Sequence, residues 1–340
     1  SSTEIVALVK ARQISPVEVA QASLDRIERC NPTLNAVVTL NEQAIEDAIA
    51  LEASIKSSSD THVLCGVPVG IKDLTPVAGL RTTYGSPIFS DHIPTEDAII
   101  VQRLRSEGAI IVGKTNTPEF GAGASTFNEV FGRTRNPWNP ERTSGGSTGG
   151  GAAALASGMI GIAEGSDLGG SLSMPASFCG LVGLRPSPGL VPTHPTEWLW
   201  DELSVNGPMA RTAEDVALAL QVMAGSDPRS PRSQSIQGRD FSSGIREVQI
   251  DGLRFGYCPD VAGLGIDPEI AEVCRSAARG LETGGADIEQ IEVDLSEARK
   301  AFLHLRGVWM VTHMRGLMDR IDELGAVSYT HLTLPTNREV

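Results

Sequence analysis

Apolar positions recur along this chain with two different periods. Val17, Ala20, Leu24 and Ile27 fall on one helical face. That run opens at Ser15-Pro16-Val17-Glu18, a capping box with proline at the first helical position. Ile45, Ala48, Leu51 and Ile55 repeat the spacing and predict a second amphipathic helix, with a short strand at 36–40 between the two. Val67 to Asp73 reads as a strand ending in a charge pair. A helix over 97–107 closes at Gly108, a favourable residue just past a helix end, and 109–112 is a buried strand. Small residues predict a helix over 148–157, ended by Gly158. Further on, Thr212 caps a helix reaching Ala224, Leu253 to Tyr257 is a strand, Pro268 to Leu281 a helix, and helical patterning returns from Met310 to Leu324. Gly225 to Gly244 is polar and reads as an exposed loop. Helices and strands alternate without an internal repeat, which predicts an α/β fold whose sheet is covered on both faces.

Composition narrows the function classes. The chain has 340 residues, 41% hydrophobic and 21% charged, which suits a packed core and excludes general disorder. A net charge of -14 argues against a nucleic-acid partner, which would call for a basic face. The most apolar run, Gly149 to Ala163, is closed by Glu164, so no membrane-spanning helix and no membrane partner are expected. Cys30, Cys65, Cys179, Cys258 and Cys274 form no C-x-x-C pair and are odd in number. They read as buried free thiols in a reducing compartment, hence a cytoplasmic protein. No His, Cys or carboxylate cluster has metal-ligand spacing, so neither a metal nor another cofactor is expected.

Two familiar motifs fail on context. Gly108-Ala-Ile-Ile-Val-Gly113-Lys114-Thr115 has Walker A spacing, but its four intervening residues are themselves a strand, where a phosphate-cradling loop is needed. Gly145-Gly146-Ser147-Thr148-Gly149 matches the G-x-S-x-G elbow, yet a polar loop (136–144) precedes it instead of an apolar strand, and His194, His304 and His313 lack supporting context as partners.

A third constellation is larger. Lys72 ends the strand-like run Gly66-Val-Pro-Val-Gly-Ile-Lys72-Asp73. Ser147 lies in Ser144-Gly-Gly-Ser147-Thr-Gly-Gly-Gly151, and Ser171 in Gly165-Ser-Asp-Leu-Gly-Gly-Ser171-Leu-Ser-Met-Pro-Ala176. The set resembles the amidase signature family, most densely over 66–188. Supporting blocks in family order are Gly113-Lys-Thr-Asn-Thr-Pro-Glu-Phe-Gly121, Arg135-Asn-Pro-Trp-Asn-Pro140 and Phe178-Cys-Gly-Leu-Val-Gly-Leu-Arg-Pro186. The resemblance implies a single domain over 1–326 with a twisted mixed β-sheet between helices. It implies a serine amidohydrolase that cleaves amides, and carbamates (urethanes) or esters, through an acyl-enzyme. Ser171 is then the nucleophile, Ser147 (after a cis peptide) the proton relay and Lys72 the general base. The apolar run before Lys72 suits a lysine made neutral by burial. The backbone N–H groups of Leu168, Gly169, Gly170 and Ser171 would face the oxyanion, with Thr148, Asp167 and Ser144 as supporting donors and acceptors.

The expected partner is a small-molecule amide or carbamate, and a homodimer is compatible with this reading. Within the family, the alternative is an A-type subunit of a glutaminyl-tRNA amidotransferase, which needs partner subunits. A third reading is an inactive truncated fragment. Other readings stay open in the residues themselves. Ser147 also stands where a helix N-cap would, and Asp73 either positions Lys72 or caps a loop. Glu119 and Asn116 suit hydrogen bonds within the core, and Trp138, Trp198 and Trp200 either line a substrate mouth or simply pack. The family usually has arginine two residues after the nucleophile, where this chain has Ser173; that weakens a claim for carboxylate-bearing substrates. Residues 327–340 read as foreign, because from Val327 they follow one reading frame of a transposase adapter used in sequencing libraries. Tyr329, Leu332 and Leu334 are therefore expected to pack weakly.

Overall fold

The structure is a computed structural model that describes residues 1–57, 62–246, 248–261, 263 and 265–333, with backbone alone at 246, 327 and 331–333. In chain order its elements are α1 Ser2–Lys10, α2 Pro16–Leu34, β1 Val37–Leu40, α3 Ala44–Ser57, β2 Pro68–Lys72, α4 Ile99–Ser106, β3 Ile110–Thr115, β4 Phe127–Asn128 and β5 Gly132–Arg133. Then come α5 Gly149–Ala156, β6 Ile162–Asp167, α6 Ser173–Cys179, β7 Val182–Gly183, β8 Val205–Ala210, α7 Ala213–Met223 and α8 Ser243–Arg246. The last are β9 Arg254–Tyr257, α9 Pro268–Thr283, β10 Asp287–Gln290, α10 Ala298–Met314 and α11 Ala326–Thr333.

Six strands form one mixed sheet in the order β1-β3-β2-β6-β8-β7. The three central strands β3, β2 and β6 are parallel, and β1, β8 and β7 join antiparallel to their neighbours. The twofold alternation of strand side chains splits the core into two layers. Ile111 of β3 and Ile162 of β6 face α1, α4 and α7, together with Val69 and Ile71 of β2. Ile110 and Val112 of β3 and Ala163 of β6 face α2, α3, α5 and α6. The small residues of α5 permit its close approach to the sheet. A Cβ on Gly150 would lie 2.2 Å from the Asn116 backbone nitrogen.

The capping box at Ser15 forms as expected, with Glu18 N–H donating to Ser15 Oγ at 3.0 Å and Ser15 N–H to Glu18 Oε2 at 2.7 Å. The sequence reading missed several elements, among them α1, β6 and β8. α1 has its own capping box at Ser1 and Glu4, and the Asp215 carboxylate accepts from Ser2 and Thr3 N–H at 2.9 and 2.8 Å. β6 escaped notice because Glu164, Gly165 and Asp167 break its apolar run, and β8 because Pro208 interrupts it. Another correction concerns 310–324: α10 ends at Met314 and a 3-10 helix, Arg315–Glu323, follows. The five cysteines are free, but only Cys65 and Cys179 are buried and Cys274 is exposed, since α9 buries no residue.

The segment read as foreign begins inside α11, whose Tyr329 is 45% exposed while Ser328 is buried. The side chain of Leu332, and Leu334 altogether, lie outside the described residues. Among the described residues no helix is long and apolar enough to cross a membrane.

Candidate active site

The carboxyl ends of β2 and β6 meet where the sheet's parallel strands open toward a cleft of about 1290 Å³. Lys72, the last residue of β2, is fully buried. Its Nζ donates to Ser147 Oγ at 2.7 Å, Ser166 Oγ at 3.0 Å and Thr148 Oγ1 at 3.1 Å. Burial pushes its ammonium down to about 7, against the carboxylates of Glu164 and Asp167, which favour the charged form.

Ser147 enters this site from the loop before α5, following a cis Gly146–Ser147 peptide. Thr126 braces the loop. Its hydroxyl donates to the Gly145 carbonyl at 2.9 Å and accepts from Gly149 N–H at 3.1 Å. The N-cap alternative for Ser147 is not realised, because α5 starts at Gly149 and Thr148 occupies the cap position without a side-chain cap bond.

Ser171 lines the same cleft as Ser147, in the turn between β6 and α6. Its carbonyl accepts from Thr148 N–H at 3.2 Å, which ties the two serine loops together. The Ser171 hydroxyl makes no hydrogen bond among the described residues, so the Lys72–Ser147 pair is joined and the Ser147–Ser171 pair is adjacent but unbonded. The turn is organised by Asp167, whose carboxylate accepts from Gly170 N–H at 2.8 Å and Leu172 N–H at 2.7 Å and pairs with Arg185 at 3.1 Å. The Gly170 N–H is therefore already committed, unlike those of Leu168, Gly169 and Ser171, which make no hydrogen bond among the described residues.

The structure also separates the supporting residues expected from sequence. Thr148 contacts Lys72, whereas the buried Ser144 hydroxyl has no hydrogen-bond partner among the described residues. Asp73 does not reach the Lys72 amine; its carboxylate accepts from Thr83 N–H and, at 2.5 Å, from the Thr83 hydroxyl, so it caps the following loop. Glu119 accepts from the Ser86 hydroxyl at 2.7 Å, and Asn116 donates to Thr134 Oγ1 at 3.0 Å, both within the core. Of the three tryptophans expected at a substrate mouth, Trp198 lines the cleft, but Trp138 and Trp200 are 73% and 64% exposed and do not.

Sequence reasoning missed a buried charge layer behind the site. Glu164 is fully buried, and its carboxylate accepts from Lys72 N–H at 3.1 Å and the Thr75 hydroxyl at 3.0 Å. Burial pushes that carboxyl up, while Thr75 and Lys114 hold it down. Lys114, the lysine of the Walker-like motif, lies inside strand β3 and donates to the Thr75 carbonyl and to Thr82 Oγ1 at 3.1 Å. Burial lowers it to about 8. The available signal was a glutamate at 164 inside an otherwise apolar stretch.

Among known proteins, the Amidase family model matches residues 18–338. The A-type subunit of the Glutamyl-tRNA(Gln) amidotransferase from Carboxydothermus hydrogenoformans is 42% identical over 86% of this chain and 60% of its own length. An Acylamidase from Rhodococcus erythropolis is 40% identical over 85% of this chain and 61% of its own. The chain thus spans about 60% of the length of these curated relatives. A bacterial aryl acylamidase of the amidase signature enzymes superposes with a TM-score of 0.89 at 30% identity, over 100% of this chain and 74% of that one. A 6-aminohexanoate cyclic dimer hydrolase gives 0.88 at 30% identity, over 100% and 72%. The family match spans almost the entire chain and includes both serine loops and the lysine strand; the chain belongs to the amidase signature family.

Proposed function

We propose that this chain carries the centre of a serine amidohydrolase, with Ser171 as nucleophile, Ser147 as proton relay and Lys72 as general base. The observation that carries this reading is the 2.7 Å contact between Lys72 Nζ and Ser147 Oγ beside the cleft that Ser171 lines. A neutral amine has two N–H groups and one lone pair. Once Lys72 is neutral its N–H groups serve Thr148 and Ser166, and its lone pair accepts the Ser147 proton in place of the N–H that the ammonium donates to Ser147 Oγ.

Ser171 Oγ attacks the amide carbon and a C–O bond forms. The Ser171 proton passes to Ser147 Oγ, whose own proton passes to Lys72. Returned through the same relay to the leaving nitrogen, that proton allows the C–N bond to break and the amine to depart. Water then adds to the acyl ester along the relay, the C–O bond to Ser171 breaks, and the acid is released. Substrate binding closes the open Ser147–Ser171 leg, as bound substrate often tightens such contacts. The N–H groups of Leu168, Gly169 and Ser171 face the oxyanion, each contributing about 3 kcal/mol, while Gly170 gives its N–H to Asp167 and fixes the turn.

Carbamates and esters fit the same acyl chemistry. Ser171→Ala abolishes aniline release from a neutral anilide and leaves the melting temperature unchanged. Turnover like the parent's in that variant ends the assignment and returns attention to Ser147. The 42% identity to an A-type amidotransferase subunit supports a second reading, glutamine-dependent ammonia release with partner subunits. Ammonia measured with and without glutamine and such subunits separates the two, and silence on every amide favours an inactive fragment.

A further inference from the structure

Helix α10 forms part of the cleft wall. Phe302, Arg306, Met310 and His313 follow one another at the spacing of a single helical face, and all four line the cleft. Phe302 sits against the turn that carries Ser171, since a Cβ on Gly169 would come within 2.8 Å of Phe302 Cζ. Arg306 is one turn further out, about 6 Å along the same face.

Its neighbours on the helix are held in place. Trp309 and His313 stack with ring centroids 4.0 Å apart, and the Trp309 indole N–H donates to Asp201 Oδ2 at 2.6 Å. Arg232, another cleft arginine, is engaged with the Asp201 carbonyl and with Glu202 at 3.4 Å. Arg315 lies on the exposed rim. Arg306 differs from all of these: it is half-buried in the cleft wall and its guanidinium makes no hydrogen bond or ion pair with any described residue. Burial lowers its pKa and no carboxylate offsets the effect. A guanidinium removed from water without an anion is unfavourable, and its planar fork matches a carboxylate.

We infer that Arg306 binds a carboxylate of the substrate, so that the cleft selects amides bearing an acid group a few bonds from the scissile carbon–nitrogen bond. The activity readout of this inference rests on the amidohydrolase reading above. The positive charge comes from α10, whereas α6 offers only Ser173 after the proposed nucleophile.

The test compares aniline release from glutaric acid monoanilide with release from hexananilide, a neutral compound of similar length. Arg306→Gln lowers the acid-to-neutral ratio of kcat/KM by roughly ten- to a hundredfold, chiefly through KM, and Arg306→Lys recovers part of it. Added salt lowers the ratio in the parent protein more than in the variant. An unchanged ratio overturns the inference. Calorimetric titration of Ser171→Ala protein with glutaric acid monoanilide, with and without Arg306→Gln, reads binding without turnover. Equal affinities overturn the role of Arg306. Weaker binding in the double variant, with no aniline released by the parent protein, supports Arg306 and sinks the hydrolase reading alone.

Discussion

The proton affinity of Lys72 sets the pH dependence of any reaction in which it is the base. The amine is fully buried, its pKa lies near 7, and only the neutral form accepts a proton. About a tenth of the protein is then competent at pH 6, about half at pH 7 and about nine tenths at pH 8. On a neutral anilide, whose own charge is constant over this range, kcat/KM should rise about tenfold from pH 6 to pH 8 and level off above it. A lysine with ordinary affinity would still gain activity beyond pH 9. Glu164 and Asp167 favour the ammonium, so Glu164→Gln, which keeps acceptors for Thr75, moves the midpoint to lower pH. Lys72→Arg should be as inactive as Lys72→Ala, a loss of roughly a hundred- to ten-thousandfold, because arginine stays charged. Initial rates across pH 5.5–10 on the three variants and the parent, with each fold checked by circular dichroism, give the answer. A flat profile, a rise that continues past pH 9, or an active Lys72→Arg protein would each refute Lys72 as the base and leave it an electrostatic anchor.

Two further outcomes concern the scaffold. Gly150→Ala should cost about 1–3 kcal/mol or more, seen as a lower denaturation midpoint, because its Cβ would meet the backbone of Asn116 at 2.2 Å and of Ala36 at 2.7 Å, neither of which can swing aside. If residues 327–340 are foreign, deleting them should leave the melting temperature within about 2 °C even though Ser328 is buried; a fall of about 10 °C would show that the segment is part of the core.

Features encoded by local chemistry are legible along the chain. The Ser15 capping box, the helical spacing of Val17 to Ile27 and the strand run ending at Lys72 all signal through neighbours a few residues away. The glycine-flanked serines were legible for the same reason, and the Walker-like motif failed because its spacer reads as β3. Whatever depends on contacts between distant residues emerges only on folding. β6 and β8 are paired on both sides inside the sheet, so ladder hydrogen bonds and burial override the glutamate and the proline that hid them. The same strand β6 brings Glu164 and Ser166 to Lys72, and no short-range pattern records a contact between residues more than ninety positions apart. Asp73 turned toward Thr83 and Gly170 gave its N–H to Asp167, each decided by which groups the fold set within hydrogen-bonding reach, and the packing of α10 brought Arg306 to face the cleft. Residue types fix which proton or charge a site can hold, but burial fixes whether it holds it, and burial belongs to the folded chain.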